Sequence, residues 1–405
     1  MRYSTFTDIV RKKAPNQEII CIQGLGYVGA AMSVAIADAK DDQKNPLFHV
    51  LGVDLKTSQG LERINAINEG RFPFQCKDKH LQKAITSSFK IGNLQATDDP
   101  SIFSLAKVII VSVPLHISED NRSLNIQLND FLEAIRTVGH YMQPSCLVII
   151  ETTVPPGTSE KIVIPELKKK FEERGLSSDS LLLAYSYERV MPGSSYLDSI
   201  VNFWRVYAGY TPEAEEVCQK FFSQFINIQK YPLTHLSSLT SAECAKILEN
   251  SYRSVNIAFI EEWSRFAEAL HIDLFEVIDA IRQRPTHSNI RQPGFGVGGY
   301  CLTKDPLFAK YSARELYKCS DLEFPFSKKS IEVNKRMPLS SVNRVEKILG
   351  GNLTNKAILL MGISYKADVS DTRYSPAQLF FEEAKARGAS VACHAPLVNI
   401  GQKRI

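Results

Sequence analysis

Short, almost continuous apolar runs recur along the chain, each followed by a polar or glycine-bearing turn and then by helical spacing. Glu18 to Gln23, His49 to Asp54, Ala106 to Pro114, Cys146 to Glu151, Leu181 to Tyr185 and Val201 to Gly209 read as strands. Between them, Ala30 to Ala39, Leu61 to Ile67, Asp78 to Ser87, Leu128 to His140 and Ser159 to Arg174 have helical spacing. Strands alternating with helices predict an α/β fold with a doubly wound parallel sheet, its ligand at the carboxyl ends of the strands. Asp54, Pro114, Thr153 and Glu188 lie at such ends.

Past Gly209 the pattern changes. Thr211 to Gln224 opens Thr-Pro-Glu, a helix start. Ser241 to Leu270 then runs without Gly or Pro, which predicts a helix about 45 Å long. Its apolar residues, Ile247, Leu248, Val255, Ile257, Phe259, Ile260, Trp263 and Phe266, cover more than one stripe. Burial on two sides follows, as in a domain bridge or a subunit interface. A helix at Leu274 to Arg284 and a polar helical segment over 309–336 come next. Lys356 to Ile363, Pro376 to Arg387 with Gly388 as its stop, and Ala389 to Cys393 make a second βαβ unit with only two strands.

A chain of 405 residues, 44% apolar and 23% charged, has material for two or three globular domains. The net charge of +4 suits small anionic ligands better than a nucleic-acid surface. No apolar stretch approaches a membrane span, and Met1 to Pro15 lacks the apolar core of a signal peptide. The eight cysteines form no Cys-x-x-Cys pair and no zinc spacing. A reduced, cytoplasmic protein without a metal is the simplest expectation.

The candidate chemistry is grouped in four places. Gly24-Leu25-Gly26-Tyr27-Val28-Gly29 stands between the first strand and the first helix. In that context the glycines let the backbone approach a pyrophosphate at the helix N-terminus, the mark of a Rossmann-like domain. Asp54, 25 residues beyond Gly29, is placed to bond the ribose hydroxyls. An acid there favours NAD over NADP; the alternative is an ordinary turn aspartate. Gly294, Gly296, Gly298 and Gly299 precede Cys301, Lys304 and Asp305. A thiol after such a loop can meet a bound substrate, and Asp305 can hold a water or steer a proton; the alternative is a glycine-rich turn with a passive cysteine. Lys246 and Asn250 share a helix face, which by spacing alone fits a surface pair. Lys366 and Arg373 follow the strand of the second βαβ unit, where solvation and phosphate binding are equally open.

Taken in order, these pieces resemble the UDP-glucose/GDP-mannose dehydrogenase family of nucleotide-sugar 6-dehydrogenases, from about Glu18 to about Pro396. The carriers are the first glycine motif, Arg63 to Gly70, Thr153-Val154-Pro155-Pro156-Gly157 and Glu188-Arg189-Val190-x-Pro192-Gly193. Glu243-x-x-Lys246-x-x-x-Asn250, Gly296-x-Gly298-Gly299-x-Cys301-x-x-Lys304-Asp305 and Tyr365-Lys366 through Asp371-Thr372-Arg373-x-Ser375-Pro376-Ala377 complete the set. The resemblance implies a Rossmann-like NAD domain over 15–209, a central helical, dimerising domain over 210–312 carrying the cysteine loop, and a shortened second Rossmann-like domain over 325–405 that binds the UDP-sugar.

It further implies oxidation of a sugar C6 hydroxyl to the uronate in two hydride transfers. Cys301 would form a thiohemiacetal and then a thioester, with hydrolysis by water near Asp305. Lys246 would stabilise the oxyanion and lower the Cys301 pKa, Asn250 would position the sugar, and Glu188 and Thr153 would order water or touch the nicotinamide. NAD contacts fall on Gly24, Gly26, Tyr27, Val28, Gly29, Asp54, Val113, Pro114, Thr153 and Arg373. Substrate contacts fall on Glu188, Arg189, Lys246, Asn250, Gly296, Gly298, Gly299 and Lys366. Pro155-Pro156-Gly157-Thr158 and the Tyr300-Cys301 pair are similar to members acting on UDP-N-acetylhexosamines for surface polysaccharides, with UDP-glucose the other substrate. The expected partners are the UDP-sugar and a second copy of the chain through the long helix, without nucleic acid or membrane.

The chain also departs from the family pattern. Arg63 lies four residues further from Asp54, Tyr187 stands where proline is common, Leu115 replaces a threonine, and Gln292 takes a position that is basic in some members. The last domain passes Ala395-Pro396 and stops at Ile405. The alternatives are therefore an NAD-binding but inactive shortened paralogue, or a two-electron hydroxyacid dehydrogenase, which needs no cysteine.

Overall fold

The computed structural model describes residues 17–120 and 123–398. The reading of Met1 to Pro15, and the outer ends of the 15–209 and 325–405 ranges, lie outside the described residues. The chain divides into two compact units, Met1–Lys246 and Ile247–Ile405, with the division inside one helix, Leu239–Leu270. Among the described residues no helix is long and apolar enough to cross a membrane.

The first unit is built on β1 (Glu18–Gln23), β2 (Phe48–Val53), β3 (Leu94–Thr97), β4 (Val108–Val111), β7 (Leu147–Ile150), β8 (Leu182–Tyr185), β9 (Val206–Gly209) and β10 (Thr234–His235). The sheet order is β10-β9-β8-β7-β4-β1-β2-β3. A separate antiparallel ribbon pairs β5 (His116–Asp120) with β6 (Ser123–Gln127). The central strands are buried along their whole length, Val108 to Val111 and Leu147 to Ile150 included, because helices cover both faces. In register, Ile22 stands beside Gly52 on one side and Ile110 on the other. The helix Tyr27–Ala37 is buried from Gly29 to Ala37, its small alanines letting it lie close to the sheet. The winding reverses between β1 and β4, which opens a crevice at their carboxyl ends.

Several elements differ from the sequence expectation. The run Val201 to Gly209 is not one strand. Asp198–Val201 is a short helix, and only Val206–Gly209 is strand, antiparallel to β8. No long crossover helix joins β8 to β9, so the chain returns on the same edge. β3 and β10 were not anticipated; both are short edge strands, and Thr234 and His235 are exposed. Ser159 to Arg174 begins as a π-turn, Ser159–Val163, before Ile164–Glu173 continues as α-helix. Pro165, with no N–H to donate, sits at that junction.

In the second unit the segment 309–336 is not one helix. Helical turns over 308–316 end near Lys318, which has φ 57°, and a new helix, Pro325–Ile348, opens on its proline. β11 (Ala357–Met361) and β12 (Ser390–His394) pair in parallel. Val342, Phe380 and Ala384, from Pro325–Ile348 and Pro376–Ala386, pack with Leu353 and Ala389 on one face of the pair. The other face is open: Leu359 is 61% and Met361 67% exposed.

Candidate active site

Three glycines at the β1–β4 crevice do different work. Gly24 has φ +92°, and a Cβ on it would stand 2.5 Å from the Ser112 carbonyl oxygen. A Cβ on Gly29 would lie 1.8 Å from the Gly24 carbonyl oxygen, so helix and turn pack backbone to backbone. A Cβ on Gly26 would meet nothing within 4 Å. Gly26 is the N-cap of Tyr27–Ala37 and supplies no side-chain cap. An uncapped helix N-terminus facing open space fits the pyrophosphate of a dinucleotide.

Asp54 is buried at the end of β2. Its Oδ2 accepts from the Leu25 N–H at 3.1 Å and Arg63 Nε at 2.7 Å. Its Oδ1 accepts from the Leu55 N–H at 2.8 Å and Arg63 Nη2 at 3.2 Å. Arg63 thus reaches Asp54 despite the wider spacing. Val113 and Pro114 follow β4. Thr152 Oγ1 accepts from the Val113 N–H at 3.1 Å and lies 2.9 Å from the Val113 carbonyl. Thr152, not Thr153, ties the ends of β4 and β7; Thr153 is half-buried beside it. Tyr27 stacks on Phe74 at 4.0 Å, and its carbonyl accepts from Tyr196 Oη at 2.6 Å.

The loop after β8 meets the long helix at Lys246. Lys246 Nζ donates to the Glu188 carbonyl at 2.7 Å, stands 3.8 Å from the Glu188 carboxylate and lies 5.2 Å from the centre of the Tyr187 ring. The Glu188 carboxylate also accepts from the Val190 N–H. Glu243, one turn earlier on the helix, accepts from the N–H groups of Gly157 at 2.5 Å and Ser159 at 2.8 Å. It ties the loop that begins at Thr153 to the helix bearing Lys246. Burial pushes its carboxyl up to about 8.

Below this loop is a buried ion pair that sequence reading missed. Glu151 accepts from Arg205 Nη2, and Arg205 Nε donates to Ser186 Oγ at 3.0 Å. Arg205 Nη2 also reaches the Ser186 carbonyl at 3.2 Å, and its guanidinium lies 4.6 Å from the Phe222 ring. Burial raises the Glu151 pKa and Arg205 works against it. The signal was present: an acid ending a fully apolar strand needs a buried partner.

The second unit gathers the cysteine loop. Cys301 is exposed, and its carbonyl accepts from the N–H groups of Lys304 at 3.1 Å and Asp305 at 2.9 Å. Asp305 is fully buried; Asn250 Nδ2 donates to its Oδ2 and Lys304 Nζ to its Oδ1, both at 2.8 Å. The Lys304 ammonium lies 4.5 Å from the ring centres of both Tyr300 and Phe308. Asn250, grouped with Lys246 by spacing, is therefore spoken for by Asp305.

The loop glycines are explained by packing against the strand-end loop. A Cβ at Gly296 would lie 2.5 Å from Pro376 Cβ, and one at Gly298 2.6 Å from the Tyr374 carbonyl oxygen. One at Gly299, φ +82°, would lie 2.8 Å from the Tyr365 ring. The Gly299 N–H donates to the Arg373 carbonyl at 3.0 Å. Arg373 pairs with Asp371 at 2.7 Å and lies 5.3 Å from the Tyr300 ring centre. Lys366, on the same loop, is exposed.

Residues 18–226 match the NAD binding domain of the UDP-glucose/GDP-mannose dehydrogenase family, and residues 240–336 match its central domain. The UDP-N-acetyl-D-mannosamine dehydrogenase of Methanocaldococcus jannaschii is 31% identical over 376 residues, covering 93% of this chain and 78% of its own. The structure of the UDP-D-ManNAc dehydrogenase of Pyrococcus horikoshii is similar, with a TM-score of 0.80 at 28% identity over 94% of this chain and 84% of that one. A UDP-glucose dehydrogenase from Pyrobaculum islandicum shares the fold, with a TM-score of 0.81 at 23% identity over 95% of this chain and 83% of that one.

Proposed function

Because the chain belongs to the UDP-glucose/GDP-mannose dehydrogenase family, we propose that it oxidises the C6 hydroxyl of a UDP-N-acetylhexosamine to the uronate, in two hydride transfers and through a covalent bond to Cys301. The observation that carries this reading is the exposed Cys301 in a turn closed on its own carbonyl, anchored by the buried Asn250–Asp305–Lys304 cluster. The choice of an N-acetylhexosamine over glucose rests on the Methanocaldococcus jannaschii relative.

NAD, held at the Gly26 helix N-terminus and by Asp54, supplies the hydride acceptor when bound. Lys246, fixed on the Glu188 carbonyl, offers its remaining N–H donors to the alkoxide that develops at C6. The Cys301 thiolate adds to the aldehyde carbon, the C=O π bond opens onto oxygen, and that oxygen takes a proton from solvent to become the hydroxyl of a thiohemiacetal. Loss of the C6 hydride to a second NAD and of the hydroxyl proton to solvent would leave a thioester. Water adds, the thiolate leaves, and the uronate is released. Asp305 holds the cysteine turn in place through the Lys304 and Asn250 bonds. Lys366 and Arg373 serve the nucleotide and cofactor phosphates.

The test is NADH released per limiting sugar nucleotide, across UDP-N-acetylmannosamine, UDP-N-acetylglucosamine, UDP-glucose and GDP-mannose. Two NADH with a UDP-N-acetylhexosamine is the expected result. One NADH per sugar would put the two-electron reading in its place, and none with any sugar, while NAD still binds, the inactive one.

The same reading makes the enzyme a homodimer. Phe259, Trp263 and Phe266 form an aromatic stripe on the long helix with 51%, 47% and 55% of their surface exposed. Light scattering on the eluting protein is expected to give twice the chain mass of 45.4 kDa; a clean monomer would refute this. The reading also makes it a cytoplasmic step towards charged sugars for surface polysaccharides, a location that cell fractionation checks.

A further inference from the structure

We infer that Tyr187 is a positioning residue of this site, its ring holding Lys246 and its hydroxyl holding Arg189. Tyr187 is 2% exposed. The Lys246 ammonium lies 5.2 Å and the Arg189 guanidinium 5.0 Å from its ring centre. Its hydroxyl accepts from Arg189 Nη2 at 2.9 Å, while Arg189 Nη1 donates to the Trp204 carbonyl at 2.8 Å. Lys246 Nζ donates to the carbonyl of the next residue, Glu188, at 2.7 Å.

These contacts give Tyr187 two separable jobs. A lysine ammonium is a point charge on a flexible stem, and the Glu188 carbonyl and carboxylate hold it from one residue only. An aromatic face attracts the ammonium from a second direction, more strongly where water is excluded, and so reduces its freedom. The hydroxyl does for Arg189 what the ring does for Lys246. It joins the Trp204 carbonyl in fixing both ends of the guanidinium fork. Tyr187 thereby links the place of one cation to the place of the other.

The inference rests on the proposed function, in which Lys246 meets the reacting oxygen and Arg189 the substrate. Tyr187→Phe keeps the ring and removes the hydroxyl. It is expected to raise KM for the sugar nucleotide about fivefold while leaving kcat within about twofold. Tyr187→Leu removes the ring and is expected to lower kcat about tenfold, with the Phe variant restoring it. A tyrosine that only fills space predicts lower thermal stability for Leu and unchanged kinetic constants for both at a temperature where both are folded. That result would overturn the inference.

A readout independent of turnover accompanies the kinetics. The rates of Lys246 acylation by an amine-directed reagent and of Arg189 modification by a dicarbonyl are followed by mass spectrometry. Leu is expected to speed labelling at Lys246, and Phe only at Arg189. Equal rates in all three proteins would sink the inference. Labelling with this pattern in a protein that oxidises no sugar would instead overturn the proposed function and leave Tyr187 as assigned.

Discussion

Cys301→Ala is expected to stop uronate formation, with steady-state turnover falling by at least about 10³-fold, the scale on which enzymes lose rate with their nucleophile. The thiol is the group whose loss the proposed chemistry cannot absorb. Without it, oxidation can reach the aldehyde, but no covalent adduct forms to carry the second hydride transfer. NADH counted in a single turnover should therefore fall to at most one per site. NAD affinity, measured by fluorescence or calorimetry, should stay unchanged, because the Gly24 to Gly29 turn and Asp54 belong to the other unit of the chain. A variant that still releases two NADH per sugar at the normal rate would remove Cys301 from the mechanism.

Arg205→Leu is expected to cost about 3–5 kcal/mol of stability, the range found when one partner of a buried ion pair is removed. Arg205 is 5% exposed and the Glu151 side chain is fully buried. Glu151 Oε2 has no hydrogen-bond partner, so the pair has little reserve. Removing the guanidinium also strips Ser186 of two contacts at the start of the loop that carries Tyr187 and Glu188. The urea midpoint of Arg205→Leu should fall well below that of the parent. The double variant Glu151→Leu/Arg205→Leu should recover much of the loss, because no lone charge then stays buried. Equal losses in single and double variants would show that the packing of Arg205 on Phe222, not the charge pair, holds this corner.

Much of the first unit was legible because its strands are buried on both faces. Val108 to Val111 and Leu147 to Ile150 are pure apolar runs and can hardly be read otherwise. Edge strands carry no such mark. Leu94-Gln95-Ala96-Thr97 is half polar because only one neighbour pairs with it, and Thr234–His235 is two exposed residues. The site divides the same way. Gly24 and Asp54 stand out by residue type at a strand end, whereas Lys246 by spacing alone fits a surface pair and Cys301 a passive thiol in a turn. Thr152 does not stand out, since two adjacent threonines look alike until one hydroxyl is seen bridging two strands. The Glu243 tether needs the distance between two segments that lie far apart in the chain, which no local pattern contains. The loop glycines were legible as a need for close approach, but not what approaches: Tyr365, Tyr374 and Pro376 of the same chain stand there.

The Asp54–Arg63 contact has a consequence for how length variation in such proteins is read. Arg63 lies on the helix Ser58–Asn68, nine residues beyond Asp54, and its guanidinium closes on the carboxylate. Four residues advance a helix by about 400°, close to one whole turn, so a turn added at its start returns Arg63 to nearly the same face. Gaining one or two residues would swing it by about 100° or 200° and point it away. Insertions and deletions ahead of this arginine are thus expected to survive in evolution in units of a helical turn. Homologous positions here are better matched by counting turns than by counting residues.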